Sequence, residues 1–283
     1  FAEKTKKSSR LKLIDVLGYD HNAEAKKLVT ELKSINAELV TTFDSNGTQA
    51  ILISTDKFLA LAFRGTESTS IKDIKSDARA DTTTCDSGGN IHSGFKSAFE
   101  EVALDIQEFI NKEEYSSLPL FITGHSLGGA LATIAAKKLK HAGGIAACYT
   151  YGSPRVGDEK WISNIKTPVY RIVNAADCVT MMPPGADTIS AISWLLGWIP
   201  RFGTNIRRLL LSKFGGYLHG GNMRYLTNCT GGNYEAVNLL YSVSFLYRIK
   251  MLYVKALPWS KPLADHSISL YRKKLAIVAT NRN

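Results

Sequence analysis

The chain has 283 residues, 45% of them hydrophobic, and only four cysteines, Cys85, Cys148, Cys178 and Cys229. That length and composition allow a large core; the cysteines show no metal-ligand spacing and define no disulfide framework, and Cys85 and Cys229, both in polar loop segments, pair only if the fold brings them together. The net charge of +10 is uneven: residues 1–184 hold 22 Lys+Arg against 22 Asp+Glu, whereas residues 185–283 hold 13 against 3. No nucleic-acid module accompanies the charge, so nucleic acid is not an expected partner.

In chain order, the first periodic segment is 22–37, where Leu28, Leu32 and Ile35 recur at helical spacing. AILIST at 50–55 and FLALAF at 58–63 form two apolar runs split by Asp56-Lys57, a hairpin pattern. Apolar residues at Phe99, Val102, Ile106, Phe109 and Ile110 predict a helix over 97–112 that packs on a sheet. PLFITG at 119–124, GIAACYTYG at 144–152 and PVYRIVN at 168–174 are predicted buried strands; Cys148 within the second is a small buried hydrophobe. A helix between the first two of these strands is expected to end at Gly143-Gly144. Strands alternating with helices predict an α/β fold with a mainly parallel central sheet flanked by helices, and the chain 1–283 is expected to form a single domain. Ligands of such sheets sit beyond the strand C-termini.

At one of those ends stands Gly124-His125-Ser126-Leu127-Gly128, between an apolar strand and a run of small residues. The G-x-S-x-G spacing suits a nucleophile elbow, in which glycines leave room for a sharp strand-to-helix turn that lifts the serine hydroxyl. It also places the Leu127 N–H at a helix N-terminus, where a developing oxyanion would be stabilised. A serine needs an imidazole to take its proton and a carboxylate to hold that imidazole. Downstream stand His141, expected to cap the helix end, His219 in a Gly-rich loop, and His266 on a loop before the last amphipathic segment; the choice falls on His266, with His219 as its rival. Among Asp158, Glu159, Asp177, Asp187, Glu235 and Asp265, Asp177 follows a strand beyond the elbow and is the expected carboxylate. Thr66, at the end of FLALAFRGT, offers an N–H and a hydroxyl as a second oxyanion donor.

AFRGT at 62–66, NIHSGF at 90–95, TGHSLGGALA at 123–132, YTYGSPRVGD at 149–158, Asp177 before Met-Met-Pro-Pro, YLHGG at 217–221 and ADHSISLY at 264–271 together resemble the ordered signatures of the class 3 (fungal-type) lipase family. The resemblance implies an α/β-hydrolase fold, carboxyl-ester hydrolysis and no metal or organic cofactor. It also implies Ser126, Asp177 and His266 as a triad, Thr66 and Leu127 as oxyanion donors, and His125 as a structural residue.

The family's lid position falls here on 67–77, where only Ile71 and Ile74 are apolar. Two apolar, basic stretches at 187–214 and 236–259 are the alternative lid or cap candidates, with Trp194, Leu195, Leu196 and Trp198 as residues exposed to lipid on opening. Neither is expected to span a membrane, because Pro200 breaks one and Arg248, Lys250 and Lys255 interrupt the other. The basic last third, with Trp194, Trp198, Tyr247, Tyr253 and Trp259 nearby, is expected to form a face toward a lipid interface. Phe1 opens the chain without methionine and no signal peptide is present, so a secreted or surface-acting enzyme with an upstream segment removed is expected. The leading expectation is a triacylglycerol lipase. The rivals are a phospholipase A1 or a feruloyl-type or other carbohydrate esterase on the same scaffold, and, from another class, a catalytically silent lipid-binding or interaction module.

Overall fold

A computed structural model describes residues 21–65, 82–85, 88–186, 188–190, 208–209, 214, 216–229, 233–254 and 264–281. The chain enters through helix α1 (His21–Ser34) and then forms a hairpin of β1 (Glu38–Ser45) and β2 (Thr48–Ser54). The hairpin turn is Asn46-Gly47, both at positive φ (49° and 83°), the backbone twist that joins antiparallel strands in two residues. Ile35 falls beyond the end of α1 and is exposed, so it does not belong to the apolar face that its spacing suggested.

β3 (Leu59–Phe63) pairs antiparallel with β2, as the two apolar runs predicted. From β3 the sheet becomes parallel: β6 (Leu120–His125), β7 (Ile145–Tyr151), β8 (Val169–Asn174) and β9 (Asn222–Leu226) follow in spatial order, and β10 (Leu239–Leu240) closes the far edge antiparallel. A separate two-stranded ribbon joins β4 (Thr82–Thr84) to β5 (Asn90–His92).

One face of the sheet carries α2 (Ser93–Ile110) and α3 (Leu127–Lys138), and a short α4 (Glu159–Ser163) lies between β7 and β8 in the chain. Phe99, Val102, Ile106 and Ile110 of α2 are buried at i, i+3, i+7 and i+11 and join Leu52, Leu61, Ile122 and Cys148 in the larger core cluster. The opposite face receives the C-terminal helix α6 (Ile268–Thr280), whose Tyr271 and Val278 pack on Ile172 and Leu226. Small residues let α3 lie deep: Gly128 through Ala136 are all buried. The helix ends at Lys138 rather than at Gly143-Gly144, because Leu139 turns extended and closes the last turn by donating to Ala135 O. His141 therefore lies beyond the helix, where its Nε2–H donates to Leu118 O at 2.6 Å instead of capping.

The segment 245–254, whose alternation also allowed a strand, is a helix, α5 (Phe245–Val254). Of the second apolar stretch, 236–259, the described part is thus an edge strand and a helix built onto the sheet. The first stretch, 187–214, falls almost entirely outside the described residues.

The elbow depends on three glycines that bring backbones together. A Cβ on Gly124 would stand 2.1 Å from Gly128 O, one on Gly128 2.3 Å from Phe63 O, and one on Gly65 2.5 Å from His125 O. We expect Gly128→Ala to force β3 and α3 apart and to destabilise the fold by at least about 3 kcal/mol. Urea unfolding monitored by tryptophan fluorescence measures this, and a midpoint equal to that of the unsubstituted chain would contradict the close approach.

Candidate active site

Ser126 occupies the single residue between β6 and α3, with φ 57° and ψ −124°. This backbone region suits glycine, and holding a serine there costs on the order of 1–3 kcal/mol. The conformation is held from both sides: Ser126 N–H donates to Tyr151 O of β7 at 3.0 Å, and Ser126 O accepts from Gly129 N at 2.9 Å. Leu127 is the first residue of α3, so its N–H belongs to the turn that has no intrahelical acceptor.

The structure brings Ser126, His266 and Asp177 into one line. Ser126 Oγ lies 2.8 Å from His266 Nε2, and His266 Nδ1 lies 3.0 and 2.9 Å from Asp177 Oδ1 and Oδ2. All three are buried, Asp177 completely. With the carboxylate at Nδ1, that nitrogen carries the proton and Nε2 is left to accept from the serine hydroxyl. Asp177 follows β8 by three residues in a turn closed by its own N–H to Asn174 O, at 2.8 Å. His266 sits two residues before α6. Ser126 and Asp177 thus stand at C-terminal ends of parallel strands, the position at which such sheets bind ligands.

Further residues build this site without a role expected from sequence, although Tyr271 and Gly152 stand inside the ADHSISLY and YTYGSPRVGD signatures. Tyr271 Oη accepts from Asn174 N at 3.0 Å and donates to Asp177 Oδ2 at 2.6 Å, while Val179 N donates to Oδ1 at 3.0 Å. Burial and the adjacent Asp177 charge hold the Tyr271 phenol well above its ordinary value, so it stays a donor. Five positions separate Tyr271 from His266, and only α6 packing on β8 turns its ring toward Asp177. Gly152, at φ 59°, closes the other side: a Cβ there would lie 2.7 Å from Asp177 Oδ2 and 2.9 Å from His266 Nδ1.

Asn174 Nδ2 donates to Asp265 O at 2.8 Å and its Oδ1 accepts from Lys274 Nζ at 2.6 Å. Asp265 Oδ2 in turn accepts from Ala176 N at 3.1 Å, so the Asp177 and His266 loops are tied directly to each other. From α5, the Arg248 guanidinium donates to Asp177 O at 3.4 Å and to Thr180 Oγ1.

The rival histidine is elsewhere engaged. His219 Nε2 donates to Thr180 O at 2.6 Å, and burial together with the charges of Arg171 and Arg155 holds it neutral, well below its ordinary value. His125 Nε2 donates to the carbonyl of His266 at 2.7 Å, and its ring centre lies 4.5 Å from the His266 ring. Burial, then the neighbouring His266, pushes His125 down to about 4. Thr66, Trp194, Leu195, Leu196 and Trp198 lie outside the described residues.

Of the cations of the last third, Arg208, Lys250, Arg272 and Lys273 are exposed, whereas others among the described residues are engaged with the molecule itself. Arg248 and Lys274 are buried, Arg224 lies over the rings of Tyr170 and Tyr241 at 5.3 and 4.7 Å, and Arg272 pairs with Glu31 at 3.3 Å. Tyr247, expected to face lipid, packs edge-on against buried Tyr225 with ring centres 5.9 Å apart. α5 and α6 each turn one cation, Arg248 and Lys274, toward the inside of the molecule.

Residues 60–186 match the family model described as Lipase (class 3). A secreted mono- and diacylglycerol lipase of Fusarium solani is 30% identical over 195 residues, covering 65% of this chain and 56% of that protein. A chloroplastic phospholipase A(1) of Arabidopsis thaliana is 36% identical over 111 residues, covering 34% of this chain and 25% of that protein. The crystal structure of a lipase from Rhizopus microsporus var. chinensis shares the fold with TM-score 0.58 at 23% identity, over 85% of this chain and 76% of that one. The chain spans about half the length of the curated relatives it matches.

One consequence for stability follows from His125. Its folded value of about 4 lies below the ordinary 6.5, so the unfolded chain binds the proton first and stability is lost as pH falls from about 6.5 toward 4. We expect His125→Gln, which keeps a donor for His266 O, to flatten the decline of the urea midpoint between pH 7 and pH 4.5. An unchanged decline would show that other groups set it.

Proposed function

We propose that this chain, which matches the class 3 lipase model over residues 60–186, is a serine carboxyl-ester hydrolase acting on acylglycerols, triacylglycerol included, at a lipid–water interface. The observation that carries this reading is the unbroken hydrogen-bonded line from Ser126 through His266 to Asp177, on a turn whose strained backbone presents the serine.

In the proposed reaction His266 Nε2 takes the Ser126 proton as Oγ attacks the ester carbonyl, and Asp177 stabilises the imidazolium that forms. The Leu127 N–H, with Thr66 as second donor, holds the oxyanion. The alcohol leaves with the proton from His266, and water, activated by the same imidazole, then releases the acid from the acyl-enzyme. Tyr271 keeps the Asp177 carboxylate aimed at Nδ1, and Arg248 braces the turn beneath it.

Access to Ser126 falls to residues 187–214, with Trp194, Leu195, Leu196 and Trp198 meeting lipid. The described part of 236–259 is engaged with the sheet and with Asp177, which favours the earlier stretch as the cover. The name of the Fusarium relative supports secretion and partial acylglycerols as substrates. Among the described residues no helix is long and apolar enough to cross a membrane, in keeping with peripheral contact. The whole of 1–283 is proposed to act as one hydrolase domain.

Ser126→Ala should abolish labelling by a fluorophosphonate probe and lower kcat/KM on a soluble p-nitrophenyl ester by about 10⁴-fold or more. Retained labelling would remove Ser126 from the chemistry, and an unlabelled, folded parent chain would favour a silent module. A panel of emulsified triacylglycerol, diacylglycerol, phospholipid and feruloyl ester separates the substrate readings.

Tyr271→Phe should lower kcat about ten- to a hundredfold with KM unchanged, the effect of removing one charge-assisted hydrogen bond worth roughly 1.5–3 kcal/mol. A variant with parental kcat would leave the tyrosine a packing residue only.

A further inference from the structure

We propose that Arg171, together with Thr150 on the neighbouring strand and Arg248 from α5, forms an internal binding site for a small monovalent inorganic anion of the chloride class, beside the turn that carries Asp177. Arg171 stands in the middle of β8, between Thr150 of β7 and Met223 of β9 in register. Neither neighbour offers a carboxylate. The Nε and Nη1 atoms of Arg171 are buried without a hydrogen-bond partner, and so are Thr150 Oγ1 and Arg248 Nε. Four donor-bearing atoms from three side chains are thus withdrawn from water with nothing among the described residues to accept from them. Each such loss costs on the order of 1–3 kcal/mol, and more for a charged group.

The surrounding charge makes the need specific. Burial, and then the positive charges of Arg248 and Arg155, bring Arg171 down to about 9, which still leaves it a cation at neutral pH. Arg155 is already engaged with the carbonyls of Met181 and Pro183 and with Thr188 Oγ1. His219, against which all three guanidiniums press, stays neutral and donates its Nε2–H to Thr180 O. Asp177, which does act on Arg248, gives its carboxylate to His266, Tyr271 and Val179.

A water molecule would accept from these N–H and O–H groups but leave the positive charge uncompensated. A small anion does both, since chloride accepts several hydrogen bonds from any direction and needs no planar partner. Because Arg248 also donates to Asp177 O, an anion held at its Nε would lock α5 against the Asp177 turn.

The test uses the full chain in buffers of constant ionic strength, with sodium chloride exchanged stepwise for sodium isethionate, the salt of a much bulkier organic anion. Binding to the folded state alone raises Tm in proportion to ln(1 + [anion]/Kd). We expect Tm to rise with the logarithm of chloride concentration once it exceeds Kd, a similar rise with bromide, and loss of the chloride dependence in Arg171→Met. Crystals grown in bromide should show an anomalous peak within hydrogen-bonding reach of Arg171 Nε and Thr150 Oγ1; this readout decides the matter should Arg171→Met fail to fold. A Tm indifferent to the exchange with no bromide peak would overturn the proposal in favour of water. An equal chloride response in a folded Arg171→Met variant would overturn it by placing the effect at another site.

Discussion

The architecture rests on one close approach: three strands and a helix meet at Ser126 with backbone against backbone. Gly124, Gly128 and Gly65 each occupy a place where a single methyl group would strike a carbonyl oxygen at 2.1–2.5 Å. Because these contacts are between main chains, they fix the position of β3, β6 and α3 relative to one another to within a fraction of an ångström. The serine that bridges them is left at a backbone angle it would not otherwise adopt. The strain is local, and the buried small residues of α3 and its contacts with the sheet hold it in place.

A polar frame on the opposite face aligns the other two members of the line. Asn174, at the end of β8, is fully buried and uses its backbone and side chain to touch Tyr271, Asp265 and Lys274. Such networks stabilise a structure only when each member is satisfied, and then they specify geometry more than they add energy. Here the frame converts the packing of α6 onto β8 into the orientation of a carboxylate and an imidazole from loops 89 residues apart in sequence.

The same packing redirects charge. A run of cations in the last third suggests a surface field, yet two of those cations serve the inside of the molecule. Arg248 is the clearest instance: it sits on an apolar, basic helix that resembles an interfacial segment, and it ends against the backbone of the Asp177 turn. Charge in sequence records how many cations there are; topology records which way they point.

The elbow, the strands around it and the candidate triad were legible from local pattern, because G-x-S-x-G, apolar runs and strand-end acids are local consequences of steric and solvation rules. The parallel block β6, β7 and β8 follows from alternating apolar runs and helical spacing for the same reason. Misread boundaries, such as the end of α3 at Lys138 and the strand-like alternation of α5, came where a few residues satisfy two periodicities and long-range contacts choose between them. What only the tertiary structure decided was the company each group keeps: Tyr271 and Gly152 against Asp177, Lys274 on Asn174, Arg248 beneath the Asp177 turn, and Arg171 left among like charges. No local pattern encodes these, since each depends on which strand lies next in the sheet and which face of a distant helix turns toward it.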